Sequence, residues 1–144
     1  MPIVKKSALV PHSAARMFQL VADMENYPQF LPWCHSATLL SRTDDEICGR
    51  IEVARLGIRQ SFTTRNRMVQ ERRMDIDLLD GPFRKLTGAW TFLPLGGDAC
   101  KVELELDFEF SGRLIDKAFG AVFNQIANTM VDAFCKRADE VYRV

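Results

Sequence analysis

Cys34 and His35 stand side by side, Asp44 and Asp45 form a second pair, and His12, Cys48, Cys100 and Cys135 are the remaining histidine and cysteines. A thiolate–imidazole dyad, a carboxylate acid–base pair or a zinc site is assembled from such residues. Their spacing argues against all three. Neighbours in an extended strand project to opposite faces, so Cys34 and His35 make no dyad. The aspartates fall in TDDE (43–46), a turn signal. No two cysteines form a CxxC pair, which removes a zinc knuckle and a redox dithiol and predicts four reduced thiols. The chemistry expected is binding rather than turnover, with no required cofactor and no metal.

Two other groups of residues fit binding better. The segment ENYPQFLPWC (25–34) packs two prolines, three aromatics and a leucine into ten positions. Loops ordinarily carry polar side chains, so Tyr27, Phe30, Leu31 and Trp33 need something to bury them. Within the stretch Ile58 to Met68, Gln60, Thr64 and Asn66 share a face with Phe62, placing a few polar groups among apolar ones. Apolar walls with sparse polar groups describe a small-molecule pocket.

The elements that position these residues follow from periodicity. Residues 3–10 (IVKKSALV) read as a strand closed by Pro11, and Ser13 caps a helix running to Ala22. From about 35 to 110 the period is two, with turn signals at hairpin spacing, which makes an antiparallel meander. Its last strand is KVELELDFEF from Lys101, with Val102, Leu104, Leu106, Phe108 and Phe110 on one face and charges on the other. After Gly112 the period becomes helical for about thirty residues, with Ile115, Phe119, Val122, Phe123, Ile126, Met130, Ala133 and Phe134 in one arc. The chain of 144 residues is therefore expected to be one domain, 1–144, of α+β class. Glycines at 49, 57 and 88 permit a curved sheet, and a curved sheet around one helix leaves room for a hollow. A dry void of about 300 Å³ would cost roughly 7 kcal/mol, so one that large would collapse, take in water or hold a ligand.

Nineteen basic and nineteen acidic residues cancel. No global field draws the protein to DNA or to an anionic membrane, so such contacts need a local patch. No run approaches the roughly 20 apolar residues that cross a bilayer. A cytoplasmic protein, at most peripheral to the inner membrane, is the expectation.

At YPQFLPWC (27–34), DGPFRKLTGAW (80–90), KVELELDFEFSGRL (101–114) and FGAVFNQIANTMVDAFCKRADEVY (119–142), the chain resembles the coenzyme Q-binding START-like family of the polyketide cyclase/dehydrase superfamily. Its bacterial members include RatA-type ribosome association toxins. The resemblance implies a helix-grip fold, a curved antiparallel sheet wrapped around a long C-terminal helix with a lipophilic tunnel between them. It implies ubiquinone or a similar isoprenoid lipid as ligand and a supporting role in respiration. It implies equally a partner in the large ribosomal subunit, bound so as to block subunit joining.

For the lipid, the tail is expected against Phe119, Val122, Phe123 and Ile126 of the helix and Phe62, Trp90 and Phe108 of the sheet. Tyr27, Phe30, Leu31 and Trp33 are expected at the mouth with Phe83 opposite, and Gln60, Thr64 or Asn66 to donate to quinone carbonyls. Tyr27 and Trp33 combine a large ring with a polar tip and suit an oil–water boundary, and a long quinone tail projecting from the tunnel would bring this loop into transient contact with a membrane. For the ribosome, Arg65, Arg67, Arg72 and Arg73 cluster around one hairpin with Arg84 and Lys85 nearby, where phosphates would compete for them against the acidic residues at 75–77 and 103–109.

Overall fold

The computed structural model describes residues 3–55 and 57–142. Seven strands form one antiparallel sheet: β1 (Ile3–Val10), β2 (Cys34–Arg42), β3 (Glu46–Arg55), β4 (Ile58–Val69), β5 (Arg73–Asp80), β6 (Phe83–Pro94) and β7 (Cys100–Phe110). Their order across the sheet is β1-β7-β6-β5-β4-β3-β2. Strands β2 to β7 are thus a pure meander, and β1 returns to pair along its full length with residues 100–107 of β7. Between β1 and β2 lie α1 (Ala14–Ala22) and a 3-10 turn, Met24–Gln29. The last element is α2 (Arg113–Val141), which packs against the concave face.

Alternation along β7 is complete: Val102, Leu104, Leu106, Phe108 and Phe110 are buried, while the residues between them stay outside. The outer face is laced with ion pairs, among them Arg84–Glu109 at 2.8 Å and Lys85–Asp107 at 2.7 Å. Such exposed pairs contribute roughly 0–1 kcal/mol each and serve mainly to keep the face wet. Helix α1 begins as its sequence predicts, with Arg16 N–H donating to the Ser13 hydroxyl at 3.2 Å.

Gly88 of β6 pairs with Leu106 on one side and Ile76 on the other. A Cβ there would lie 2.1 Å from the Glu105 carbonyl oxygen, so only glycine lets β6 and β7 approach this closely. Gly49 of β3 has a different task. A Cβ on it would sit 2.1 Å from the Met24 sulfur, so its bareness seats the 3-10 turn against the sheet. Gly57 lies in the β3–β4 turn at φ +80°, where it serves the reversal of the chain and not the bend of a strand.

Candidate functional site

The proline-aromatic segment is not an open loop. Pro28 stands inside the 3-10 turn, and the chain is pinned by Leu31 N–H to Tyr27 O at 2.9 Å, Cys34 N–H to Leu31 O at 2.9 Å and Ala54 N–H to Trp33 O at 2.9 Å. Its large apolar side chains point inward. Tyr27 is 7% exposed, Leu31 1% and Trp33 5%, while Phe30 is half-buried beneath the Arg137 guanidinium, 5.2 Å from its ring. The expectation that Tyr27 and Trp33 sit at an oil–water boundary is therefore corrected. The Tyr27 hydroxyl does not reach water, because it donates to the Val21 carbonyl. Burial, and after it the neighbouring Cys34 and Asp23, holds this phenol far above the ordinary tyrosine range.

Two aromatic clusters lock α2 to the sheet. At the N-terminal half, Phe123 packs 4.8 Å from Phe83 and 4.9 Å from Phe108, and Phe119 and Phe110 close the group. At the C-terminal half, Phe134 meets Tyr27 at 5.3 Å, Phe30 at 5.2 Å and Trp90 at 5.2 Å. Between these clusters the helix presents Ile126, Ala127 and Met130, and the small Ala127 leaves a gap.

That gap is a cavity of about 70 Å³. Its sheet wall is Ile51 of β3, Phe62, Thr64 and Asn66 of β4, Ile76 of β5, Leu86 and Trp90 of β6, and Leu104 and Leu106 of β7. Tyr27 closes it beside Phe123, Ile126, Ala127 and Met130. It is well short of 300 Å³, because the phenylalanine cluster fills the volume toward the start of α2. On the other side of Ile126 lies a groove of about 200 Å³ lined by Leu31, Pro32, Trp33, Arg55, Gln125, Thr129 and Ala133.

Of the residues expected to meet a ligand, Tyr27, Phe62, Thr64, Asn66, Trp90, Phe123 and Ile126 share the cavity wall. Leu31 and Trp33 face the neighbouring groove instead. Phe30 borders a shallow cleft with Asn26 and Arg137. Phe83, Phe108, Phe119 and Val122 lie in the solid core, and Gln60 is half-buried outside the wall. Sequence reasoning missed Ile51, Ile76, Leu86, Leu104, Leu106, Ala127 and Met130. Parity on their strands and helical spacing put them on the inner face, but nothing in either marks a residue beside a gap.

The polar groups in the wall are few. Asn66 Nδ2 lies 3.6 Å from Met74 Sδ, and its Oδ1 is buried with no partner. Thr64 adds a hydroxyl and Trp90 an indole N–H. No Asp, Glu, His, Lys or Cys lines the cavity among the described residues. Cys34 lies outside it, its thiol pushed up to about 11 by burial, so it is a poor nucleophile. All four cysteines are free.

A larger hollow lies elsewhere, an open groove of about 440 Å³ on the outer sheet face. Small residues of β6, Thr87, Ala89 and Thr91, form its floor between charged rims. Arg67 and Arg73 stand in it with four carboxylates, Asp75, Asp77, Glu103 and Glu105. The arginines expected to meet RNA are engaged: Arg65 with Glu46 at 3.8 Å, Arg67 with Asp77 at 3.7 Å and Arg73 with Asp75 at 2.8 Å. Arg72 bonds the Glu71 carbonyl at the β4–β5 turn. The patch that looks basic in sequence is close to neutral in space.

A seven-stranded antiparallel sheet gripping one long helix around a small apolar hollow defines the helix-grip class. The chain belongs to the polyketide cyclase / dehydrase and lipid transport family, whose signature matches residues 10–135. It is 47% identical over 142 residues to the ribosome association toxin RatA of Escherichia coli K12, covering 99% of this chain and 90% of that protein. It is 28% identical to the mitochondrial coenzyme Q-binding protein COQ10 homolog B of Xenopus laevis, over 95% of this chain and 58% of that protein. The Zhui aromatase/cyclase of Streptomyces sp. R1128 superposes with a TM-score of 0.87 over 99% of this chain and 96% of its own, at 17% identity, a likeness of fold alone. No helix among the described residues is long and apolar enough to cross a membrane.

Proposed function

We propose that the chain binds ubiquinone or a related isoprenoid lipid between its sheet and α2, without catalysing a reaction, in support of respiratory electron transport. The observation that carries this reading is the hollow itself, about 70 Å³ walled by apolar side chains with Thr64, Asn66 and Trp90 as its polar points. Burying one isoprene unit of about five carbons there yields roughly 4 kcal/mol at ~0.8 kcal/mol per CH₂. The rest of the ligand extends past Ile126 into the groove beside Leu31 and Trp33, the two spaces sharing that one side chain. Likeness to a protein named for coenzyme Q binding supports the ligand class. The titratable group in the wall, Tyr27, has its hydroxyl committed to Val21 O, which supports binding without turnover. On this reading the protein is cytoplasmic and meets the inner membrane only to load and unload. The experiment is purification from a quinone-producing host followed by solvent extraction, with an isoprenoid expected in the extract. A clean extract, together with no quenching of Trp90 fluorescence by added quinone, overturns it.

Association with the large ribosomal subunit is the second reading, favoured by 47% identity to a relative named for it. Arg65, Arg67, Arg72 and Arg73 are its candidate contacts, and three of them would exchange a carboxylate for a phosphate. Co-sedimentation with 50S subunits at low salt, weakening as salt rises, is the expected result. Binding unaffected by Arg→Glu changes at these positions rules the patch out.

A further inference from the structure

The groove beside Trp33 holds a charge that its surroundings do not answer. Along β3 the residues of one parity are Ile47, Gly49, Ile51 and Val53, on the sheet's inner face, and the next position of that parity is Arg55. Parity would place an oily side chain here. The chain places a guanidinium instead, half-buried, in the groove with Leu31, Pro32, Trp33 and Ile126. Arginines of the outer face such as Arg67, Arg73 and Arg84 stand beside Asp77, Asp75 and Glu109. Arg55 has no carboxylate partner among the described residues. A cation drawn partly out of water is costly until an anion meets it, and apolar walls strengthen that attraction. The planar fork of an arginine suits a phosphate or a carboxylate, which it grips through two parallel N–H bonds. Across the groove on α2, the Thr129 hydroxyl is spent on the Gln125 carbonyl at 2.8 Å, and the Gln125 carboxamide supplies a second donor. The groove shares Ile126 with the apolar cavity, so a head held at Arg55 sends its chain toward Ala127 and Met130.

We infer that Arg55 receives the head of an acidic isoprenoid, a prenyl chain ending in a phosphate or a carboxylate, and that this ligand is held in preference to a neutral isoprenoid. The inference rests on the reading of the hollow as an isoprenoid site and names the class of head it takes. The anion answers Arg55 and Gln125 in the groove, while the chain covers Ile126 and enters the cavity. A head without charge gives Arg55 an ordinary hydrogen bond and leaves the guanidinium without its counter-charge.

The test is calorimetry of the full chain with geranyl phosphate, geraniol, decyl phosphate and inorganic phosphate. Geranyl phosphate is expected to bind about tenfold tighter than geraniol, the margin a charge-assisted hydrogen bond supplies. Decyl phosphate and inorganic phosphate are expected to bind more weakly than geranyl phosphate. Added salt is expected to narrow the margin over geraniol, since the groove is open to solvent. Arg55→Gln is expected to bring geranyl phosphate down to the affinity of geraniol, while geraniol binds as in the parent and so reports that the variant folds. Arg55→Lys should keep part of the margin, and Arg50→Gln, at an exposed position of opposite parity on β3, all of it. Equal affinities for geranyl phosphate and geraniol overturn the inference and leave the isoprenoid reading standing, as does a margin that survives Arg55→Gln. Decyl phosphate equal to geranyl phosphate, with both weakened by Arg55→Gln, upholds the acidic head and rejects the isoprenoid chain. Binding of inorganic phosphate alone, or failure of all four probes, overturns both.

Discussion

The hydroxyl of Tyr27 belongs to the fold: it satisfies the carbonyl of Val21 near the end of α1 from a position six residues on. Tyr27→Phe keeps the ring contacts with Phe30 and Phe134 but orphans that carbonyl. A loss of about 1 kcal/mol in stability is expected by urea denaturation, with little change in ligand uptake. The thiols make a second prediction. In the folded chain Cys34 and Cys135 hold their protons up to about 11, against an ordinary 9.0, chiefly because burial penalises the thiolate. Between pH 9 and 11 the unfolded chain therefore sheds protons that the folded chain keeps, and stability falls as pH rises through that window. Cys34→Ala should flatten the decline seen in melting temperature across that range. The sequence showed that Tyr27, Thr64, Asn66 and Trp90 faced inward, since parity and oiliness say as much. It did not show which of their polar atoms would find partners, because those are set by side-chain contacts with other elements, such as Asn66 of β4 with Met74 of β5, which parity does not specify.

Among the elements, the hairpins and the long helix were plain from periodicity, and their observed bounds follow the turns and Gly112. The segment from 25 to 34 was harder. Its prolines exclude an α-helix, but a single 3-10 turn tolerates Pro28, and the seat for that turn is the bare backbone of Gly49, supplied by another strand. Gly88 is the element-scale device with the largest consequence. Gly88→Ala forces a Cβ to within 2.1 Å of a backbone oxygen of β7 and 2.8 Å of Leu106, a wall of the cavity. Because the clash is with backbone, relief requires β6 and β7 to move apart. A loss of about 1–3 kcal/mol is expected in chemical unfolding, with altered ligand affinity in the protein that remains folded. An unchanged midpoint would mean that the close approach of β6 and β7 does not depend on this glycine.

At the scale of the whole molecule, the size of the hollow decides how much a ligand matters. A void of about 70 Å³ costs on the order of 2 kcal/mol at ~24 cal/mol per Å³, well inside the 5–15 kcal/mol of an ordinary domain. The fold stands with the cavity empty, so a guest is an addition and not a structural need. Sequence could not supply that volume, because it is the difference between a curved sheet and the aromatic clusters that fill it. Ala127 offers the means to separate the two functional readings. It is fully buried in the cavity wall, and Ala127→Leu adds about three carbons to the gap, worth at most ~2 kcal/mol before strain. The expected variant melts at or a few degrees above the parent and no longer takes up isoprenoid in calorimetry. Its outer face, with Arg65, Arg67, Arg72 and Arg73, is untouched, so its co-sedimentation with 50S subunits should equal the parent's. Persistent isoprenoid uptake would place the ligand outside this cavity. Loss of ribosome binding in the folded variant would mean instead that the outer surface responds to what the hollow contains.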